Sequence, residues 1–165
     1  MKLLRSELAG GIQHKLFDIP TKSLVLEGLN FYENSIRCEI TSEPIPDGFK
    51  LIGIISIPFI EICDRCLEDY RRACSAEFEL WLTANEQLIS ATEADIIWFP
   101  YSMEEIDLNP VFHDLVALEE PMKKLCKEDC QGLCPHCGTN KNKHTCTCEV
   151  QQGNNPWGAL EKLIR

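Results

Sequence analysis

Six cysteines fall within residues 125–148, "LCKEDCQGLCPHCGTNKNKHTCTC", and their spacing constrains the fold more than any other feature. A structural metal site takes four thiolates and a disulfide takes two, so six sulfurs imply partners elsewhere in the chain. Cys134 and Cys137 form a C-x-x-C pair whose sulfurs reach one ion within a single turn. Pro135 fixes the backbone after the first ligand, and Gly138 can take the left-handed conformation that ends such a knuckle. Cys146 and Cys148, as C-x-C, share one face of an extended segment. The polar loop "GTNKNKHT" is long enough to fold the two pairs together. Cys134, Cys137, Cys146 and Cys148 therefore make a complete tetrahedral four-thiolate site, in the manner of a zinc ribbon.

Cys126 and Cys130 remain. The other close-set pair is Cys63 and Cys66 in "ICDRCLEDY", between two expected strands, where a knuckle would double as a hairpin turn. Joining 63/66 to 126/130 gives a second four-thiolate site and two zinc ions per chain. Two rival partitions stay open: Cys126 and Cys130 with one pair of the ribbon, or a two-metal cluster using all eight. Cys38 and Cys74 alternate with apolar residues and read as small buried hydrophobes. His136 lies between two ligands and is expected to point away from their ion. His144 would be redundant with the C-x-C pair, and His14 and His113 are isolated.

Clustered thiols read as metal ligands in a reducing compartment, where disulfides do not persist. A cytoplasmic location is the expectation. "MKLLRSELAGG" opens like a signal peptide, but Ser6 and Glu7 interrupt the apolar stretch. The longest apolar run, "LIGIISIPFI" at 51–60, suits a buried strand and is too short to span a bilayer. The net charge of −10 is uneven. Residues 1–120 carry 9 Lys+Arg against 22 Asp+Glu, whereas residues 121–165 carry 7 against 4. An acidic body repels phosphate, so contact with nucleic acid is expected through the C-terminal third. There Lys123, Lys124, Lys127, Lys141 and Lys143, with His144, form a basic patch, and Arg71 and Arg72 are candidates to join it.

The first half reads as strands: "KSLVLEGL", "SIRCEI" with Ile36, Cys38 and Ile40 on one face, and the isoleucine-rich "FKLIGIISIPFIEI". "EPIPDGF" reads as a turn. "YRRACSAEFELWL" alternates again, with Cys74, Ala76, Phe78 and Leu80 on one face, and "ADIIWFPY" adds a strand. In "DLNPVFHDLVALEEP" Asn109 is the expected helix cap and Pro110 the first position. Val111, Phe112, Leu115, Val116 and Leu118 are the buried stripe, and Pro121 ends the helix. "NNPWGALEKLIR" repeats that design, with Trp157, Leu160 and Ile164 on one face. The expected fold is α+β: a mostly antiparallel sheet with a C-terminal helix, a zinc-ribbon-like cysteine-rich segment and a short final helix. Residues 1–105 would form the β-rich body and 106–165 the helix, cysteine segment and last helix, packed as one domain.

Catalysis finds little support. Two full sets of four cysteines leave a metal no open position, and H-E-x-x-H, a Gly-rich phosphate loop and a Ser-His-Asp arrangement are absent. A thiol–disulfide redox protein is the alternative, since "CPHC" matches an oxidoreductase motif. That chemistry wants a helix after the motif, which Gly138 and the following Thr, Asn and Lys do not make. A zinc-stapled protein-interaction adapter is the other alternative.

"CDRCL" after an isoleucine-rich strand, "IDL" opening a helix, then P-x-K-x-L-C-x-E-D-C-x-G-L-C-P-x-C-G-x-N and a late C-x-C resemble the YceD-like family. These are known as large ribosomal RNA subunit accumulation proteins. The resemblance runs from about residue 50 to the end and supports Cys63, Cys66, Cys126 and Cys130 as one set. It implies a non-enzymatic role in accumulation or maturation of large-subunit ribosomal RNA. The implied partner is that RNA, an assembly intermediate or a ribosomal protein on it, with no membrane and no small-molecule substrate.

Overall fold

Alternation of apolar and polar residues runs through three consecutive segments, and these become the long strands of one sheet. The computed structural model describes residues 1–24, 26–89 and 95–148. The chain opens with β1 (Lys2–Leu4), α1 (Arg5–Ala9) and β2 (Ile12–Pro20), then a 3-10 turn (Thr21–Leu24) and the short β3 (Asn30–Phe31). The long strands β4 (Ser35–Ile45), β5 (Gly48–Ile62) and β6 (Asp69–Thr83) follow. A second 3-10 turn (Glu86–Ile89) precedes β7 (Ile96–Trp98), β8 (Glu105–Asp107) and α2 (Asn109–Leu118).

The main sheet has six strands in the order β2-β4-β5-β6-β7, with β3 also on β5. All its pairings are antiparallel except β6 with β7. β1 and β8 form a separate antiparallel pair. Pro46 and Asp47 make the two-residue turn from β4 to β5, and it is Asp47 rather than the glycine that takes the positive φ, 60°. Gly53 permits a close approach between strands, since a Cβ there would lie 2.5 Å from both the Glu39 carbonyl and the Phe78 ring.

One face of the sheet is dry. Ile36, Cys38 and Ile40 of β4, Leu51, Ile55, Ile57 and Phe59 of β5, and Phe78, Leu80 and Leu82 of β6 point into it. α2 lies on this face, with the Phe112 ring edge-on to Phe78 at 5.6 Å, and α1 adds Leu8. The other face is wet, with Ile52 and Ile54 exposed among acidic neighbours. One-sided burial is what a period-two pattern in an antiparallel sheet produces. No helix among the described residues is long and apolar enough to cross a membrane.

The fold is mostly β, not the expected α+β, with two helices among the described residues. β5 and β6 each run fifteen residues and carry the hairpin to the first C-x-x-C, so the sheet is larger than separate short strands suggest. The cysteine segment contributes one isolated bridge, Leu133 with Asn140, and no helix follows it among the described residues. The final helix expected over "NNPWGALEKLIR" lies outside the described residues. Of "KSLVLEGL", residues 22–24 belong to the 3-10 turn instead of a strand, and Leu24 plugs the core from it. Asn109 is the first residue of α2; the Asp107 carboxylate accepts its N–H at 2.9 Å and does the capping. Leu118 is exposed, because it stands nearly opposite the Phe112–Val116 stripe on a helix of 3.6 residues per turn. Phe112 closes the core from the helix side, so Phe112→Ala should cost about 3–5 kcal/mol. That loss would be read as a lower midpoint in urea unfolding.

Candidate metal centre

The two C-x-x-C segments adopt the same local geometry. In the first, the Cys63 N–H donates to the Glu68 carbonyl at 3.0 Å, and the Leu67 N–H donates back to the Cys63 carbonyl at 2.9 Å. In the second, Cys134 donates to Thr139 at 2.8 Å and Gly138 donates to Cys134 at 2.9 Å. The residue after the second cysteine is left-handed in each, with φ of 57° at Leu67 and 72° at Gly138. Both knuckles thus present two sulfurs on one side. The first knuckle is also the turn joining β5 to β6.

Cys63, Cys66, Cys126 and Cys130 come together, and so do Cys134, Cys137, Cys146 and Cys148; in each set the sulfurs all lie within 4.8 Å of one another. Cys63 and Cys130 are 3.8 Å apart, Cys66 and Cys126 3.7 Å. An ion held tetrahedrally by four sulfurs at about 2.3 Å requires S···S separations of about 3.8 Å. The donor set fits a soft or borderline metal and leaves no open coordination position. This grouping is the two-site partition. Neither His136 nor His144 belongs to it; both are exposed.

The first set is stitched together by backbone. Asp64 N–H donates to the Lys124 carbonyl at 2.8 Å, and the Asp64 carboxylate accepts the Lys124 N–H at 2.7 Å. The Arg65 guanidinium donates to the Cys130 carbonyl at 3.0 Å, while its own carbonyl accepts the Leu133 N–H at 3.0 Å. Gly132, at φ 68°, lets that approach happen: a Cβ there would stand 3.0 Å from the Arg65 carbonyl. The loop of the second set docks on the first. The Asn142 side-chain amide donates to Cys130 Sγ at 3.3 Å, its oxygen accepts the Gln131 N–H at 2.9 Å, and Lys143 pairs with Glu68 at 2.7 Å.

The thiols are tuned in opposite directions. Burial opposes ionisation of Cys63, but the N–H groups of Cys126, Cys66 and Arg65 outweigh it and pull the thiol down to about 6. Burial opposes ionisation of Cys130 as well, and there the Gly132 N–H and the Asn142 amide prevail and pull the thiol down. Cys126 is pushed up to about 12 by burial and by the neighbouring thiols. In the second set the Cys137 and His136 N–H groups bring Cys134 down to about 6, while Cys137 and burial push Cys148 up to about 12. Four acids this close cannot all ionise unless a cation joins them.

The sheet supports the first set from below. Glu61, buried two residues before Cys63 on β5, accepts from Tyr70 Oη at 2.5 Å and from two nitrogens of Arg72. Arg72 also donates to the Glu119 carbonyl at the end of α2, at 2.9 Å. Arg72 is therefore committed to this network rather than to a basic patch, and Arg71 lies over the Tyr32 ring. Among the lysines, Lys124 pairs with Glu120, Lys127 with Asp129 and Lys143 with Glu68. Lys123 and Lys141 are exposed with no ion-pair partner among the described residues. Cys38 is buried on β4, where desolvation pushes its thiol up to about 12, and Cys74 is half-buried; both lie outside the two sets. Glu61 and Asn142 had no motif to mark them in the sequence, while Arg65 and Gly132 stand within "CDRCL" and C-x-G-L-C without a role being legible there. Because Asn142 bonds a sulfur of one set from the loop of the other, Asn142→Ala should weaken metal binding at Cys63, Cys66, Cys126 and Cys130 by about 10–100-fold. Competition with a chromogenic chelator measures this.

Residues 51–164 match the family described as "Large ribosomal RNA subunit accumulation protein YceD". The chloroplastic Large ribosomal RNA subunit accumulation protein YCED homolog 1 of Arabidopsis thaliana is 36% identical over 140 residues, 69% of this chain and 44% of its own. Its namesake in Zea mays is 29% identical over 137 residues, 65% of this chain and 47% of its own. An uncharacterized protein of Mycobacterium tuberculosis is 34% identical over 101 residues, 61% of this chain and 48% of its own. The chain spans about half the length of these relatives. No solved structure matches. The matched span takes in every cysteine of both sets, and on it the chain belongs to the YceD family.

Proposed function

We propose that this protein holds two structural zinc ions, one in each cysteine set, and supports accumulation of large-subunit ribosomal RNA without catalysing a reaction. The observation that carries the metal reading is the gathering of each set of four sulfurs within 4.8 Å of one another, with separations of 3.7 and 3.8 Å in the first set that suit a tetrahedral zinc thiolate. Family membership supports the ribosomal reading. The zinc ions supply no redox chemistry and have no site for water; they serve to fix the chain. Thiolate ligands require a compartment that keeps them reduced, and the cytoplasm is such a compartment. The redox alternative is disfavoured because the residues after Cys137 form a turn and not the helix N-terminus that thiol exchange uses.

The protein contacts a large-subunit assembly intermediate through the metal-bearing C-terminal third. Support comes from the charge division, with residues 121–165 carrying 7 Lys+Arg against 4 Asp+Glu and the rest strongly acidic. Lys123 and Lys141 are the best placed contacts, since Lys124, Lys127 and Lys143 spend part of their charge on neighbouring carboxylates.

Elemental analysis of protein purified without chelator should find two zinc ions per chain. Lys123→Glu with Lys141→Glu should leave that content intact and reduce recovery of large-subunit ribosomal RNA in quantitative pull-downs from cells. If the contact is to phosphate, each lost lysine flattens the salt dependence by about one unit of slope, and ribonuclease abolishes recovery. Recovery of neither ribosomal RNA nor a large-subunit protein would remove the assignment.

A further inference from the structure

Among the described residues, one edge of the main sheet is unpaired beside an apolar, acid-rimmed groove. β7 pairs with β6, among the described residues, at Trp81, Leu82 and Thr83. The Trp81 N–H points to that side, donating to the Asp95 carbonyl at 2.8 Å, and the Thr83 carbonyl accepts from Phe99 there at 2.8 Å. Both groups of one residue face the same side of a strand, and the side alternates from residue to residue. Ala73, Ser75, Glu77 and Glu79 therefore aim their N–H and C=O groups at the same edge, where nothing among the described residues takes them up. Residues 73–79 carry no proline or lysine, and the charges on this edge are the carboxylates of Glu77 and Glu79, which select against an acidic guest.

A groove of about 330 Å³ runs between this edge and α2. Val111, Leu115 and Leu118 of α2 form its apolar wall, and Leu118 is 80% exposed. Glu77, Glu79, Asp95 and Asp114 are its charged lining, with no cation among the residues that line it, although Glu79 also pairs with Lys50 of β5 at 2.9 Å.

We propose that β6 accepts an added strand from a basic partner polypeptide whose residues alternate between apolar and Lys or Arg. Backbone bonds to Ala73, Ser75, Glu77 and Glu79 supply the pairing, as in other cases of strand addition. Because side chains alternate across the sheet, one row of the guest falls on Val111, Leu115 and Leu118. The other row stands beside the Glu77 and Glu79 side chains. Opposite charges at cross-strand positions favour this guest, and like charges oppose pairing with a second copy of this acidic chain. The surface lies on β6 and α2, uses neither cysteine set, and goes beyond the RNA-accumulation reading.

The probe is the capped synthetic peptide (Lys-Val)4, added to isotopically labelled, zinc-loaded, full-length protein and followed by NMR. The expected result is shifted amides at Ala73, Ser75, Glu77 and Glu79, with hydrogen exchange there slowed at least tenfold. The peptide N-methylated on alternate residues and the peptide (Glu-Val)4 should not bind. Ser75→Pro removes one outward N–H without breaking the ladder to β5, a place where an edge strand tolerates proline. It should keep the zinc content and lose at least tenfold in peptide affinity. Should that variant misfold, Glu77→Lys with Glu79→Lys is expected to cause the same loss. Shifts spread over the acidic surface with no slowing of exchange would overturn the proposal, leaving charge attraction alone. Slow exchange at these amides before peptide is added would also overturn it, because the edge would then be covered by the chain itself.

Discussion

The meeting of Cys63 and Cys66 with Cys126 and Cys130 ties residues 126–148 to the hairpin of the sheet. It joins residues about sixty positions apart, at a place where neither side has a large apolar core. Beyond the sulfurs, Tyr70 and Leu125 are the hydrophobic side chains that pack there among the described residues. Thiols pulled down by N–H groups stand beside thiols pushed up by burial and by one another. The raised thiols stay protonated there, and a dication bound among the four would let all of them act as thiolates. Metal-binding energy at such a site is folding energy.

The second set depends on the first. Cys130 and Cys134 sit on one short segment, Asn142 reaches from the second loop to a sulfur of the first set, and Lys143 pairs with Glu68 beyond the first knuckle. The first set rests in turn on the sheet, through the hairpin turn and the Glu61–Tyr70–Arg72 network that ends at α2. The order of support is therefore sheet, first knuckle, then ribbon. Each step is short-ranged and hydrogen-bonded, which places the exposed Lys123 and Lys141 in a fixed relation to the body.

Spacing made the cysteine sets legible: closely spaced cysteines have few ways to share an ion, and the structure gathers the eight into two separate sets of four. Alternation likewise exposed β4, β5 and β6, because each buries one face along its whole length. The N-terminal elements were harder to read. Leu3, Leu8 and Leu24 are fully buried single residues on short elements, and one buried side chain makes no period. Leu118 failed for the opposite reason, as an apolar residue at nearly helical spacing that faces away from the core. The roles of the supports were hidden, since Asn142, Glu61 and Arg65 (the last within "CDRCL") act through contacts that only the closed fold creates. The left-handed Leu67 was hidden too, whereas Gly138 in the matching position could be foreseen from its chemistry.

The most direct test of this order of support compares Cys63→Ser with Cys134→Ser by zinc content and by thermal unfolding of the β-sheet signal. If the ribbon rests on the first knuckle, Cys63→Ser loses both ions and lowers the midpoint of the whole domain. Cys134→Ser should lose one ion and leave the sheet transition close to that of the parent. A Cys63→Ser protein that unfolds like the parent and retains the ion of the second set would contradict that order.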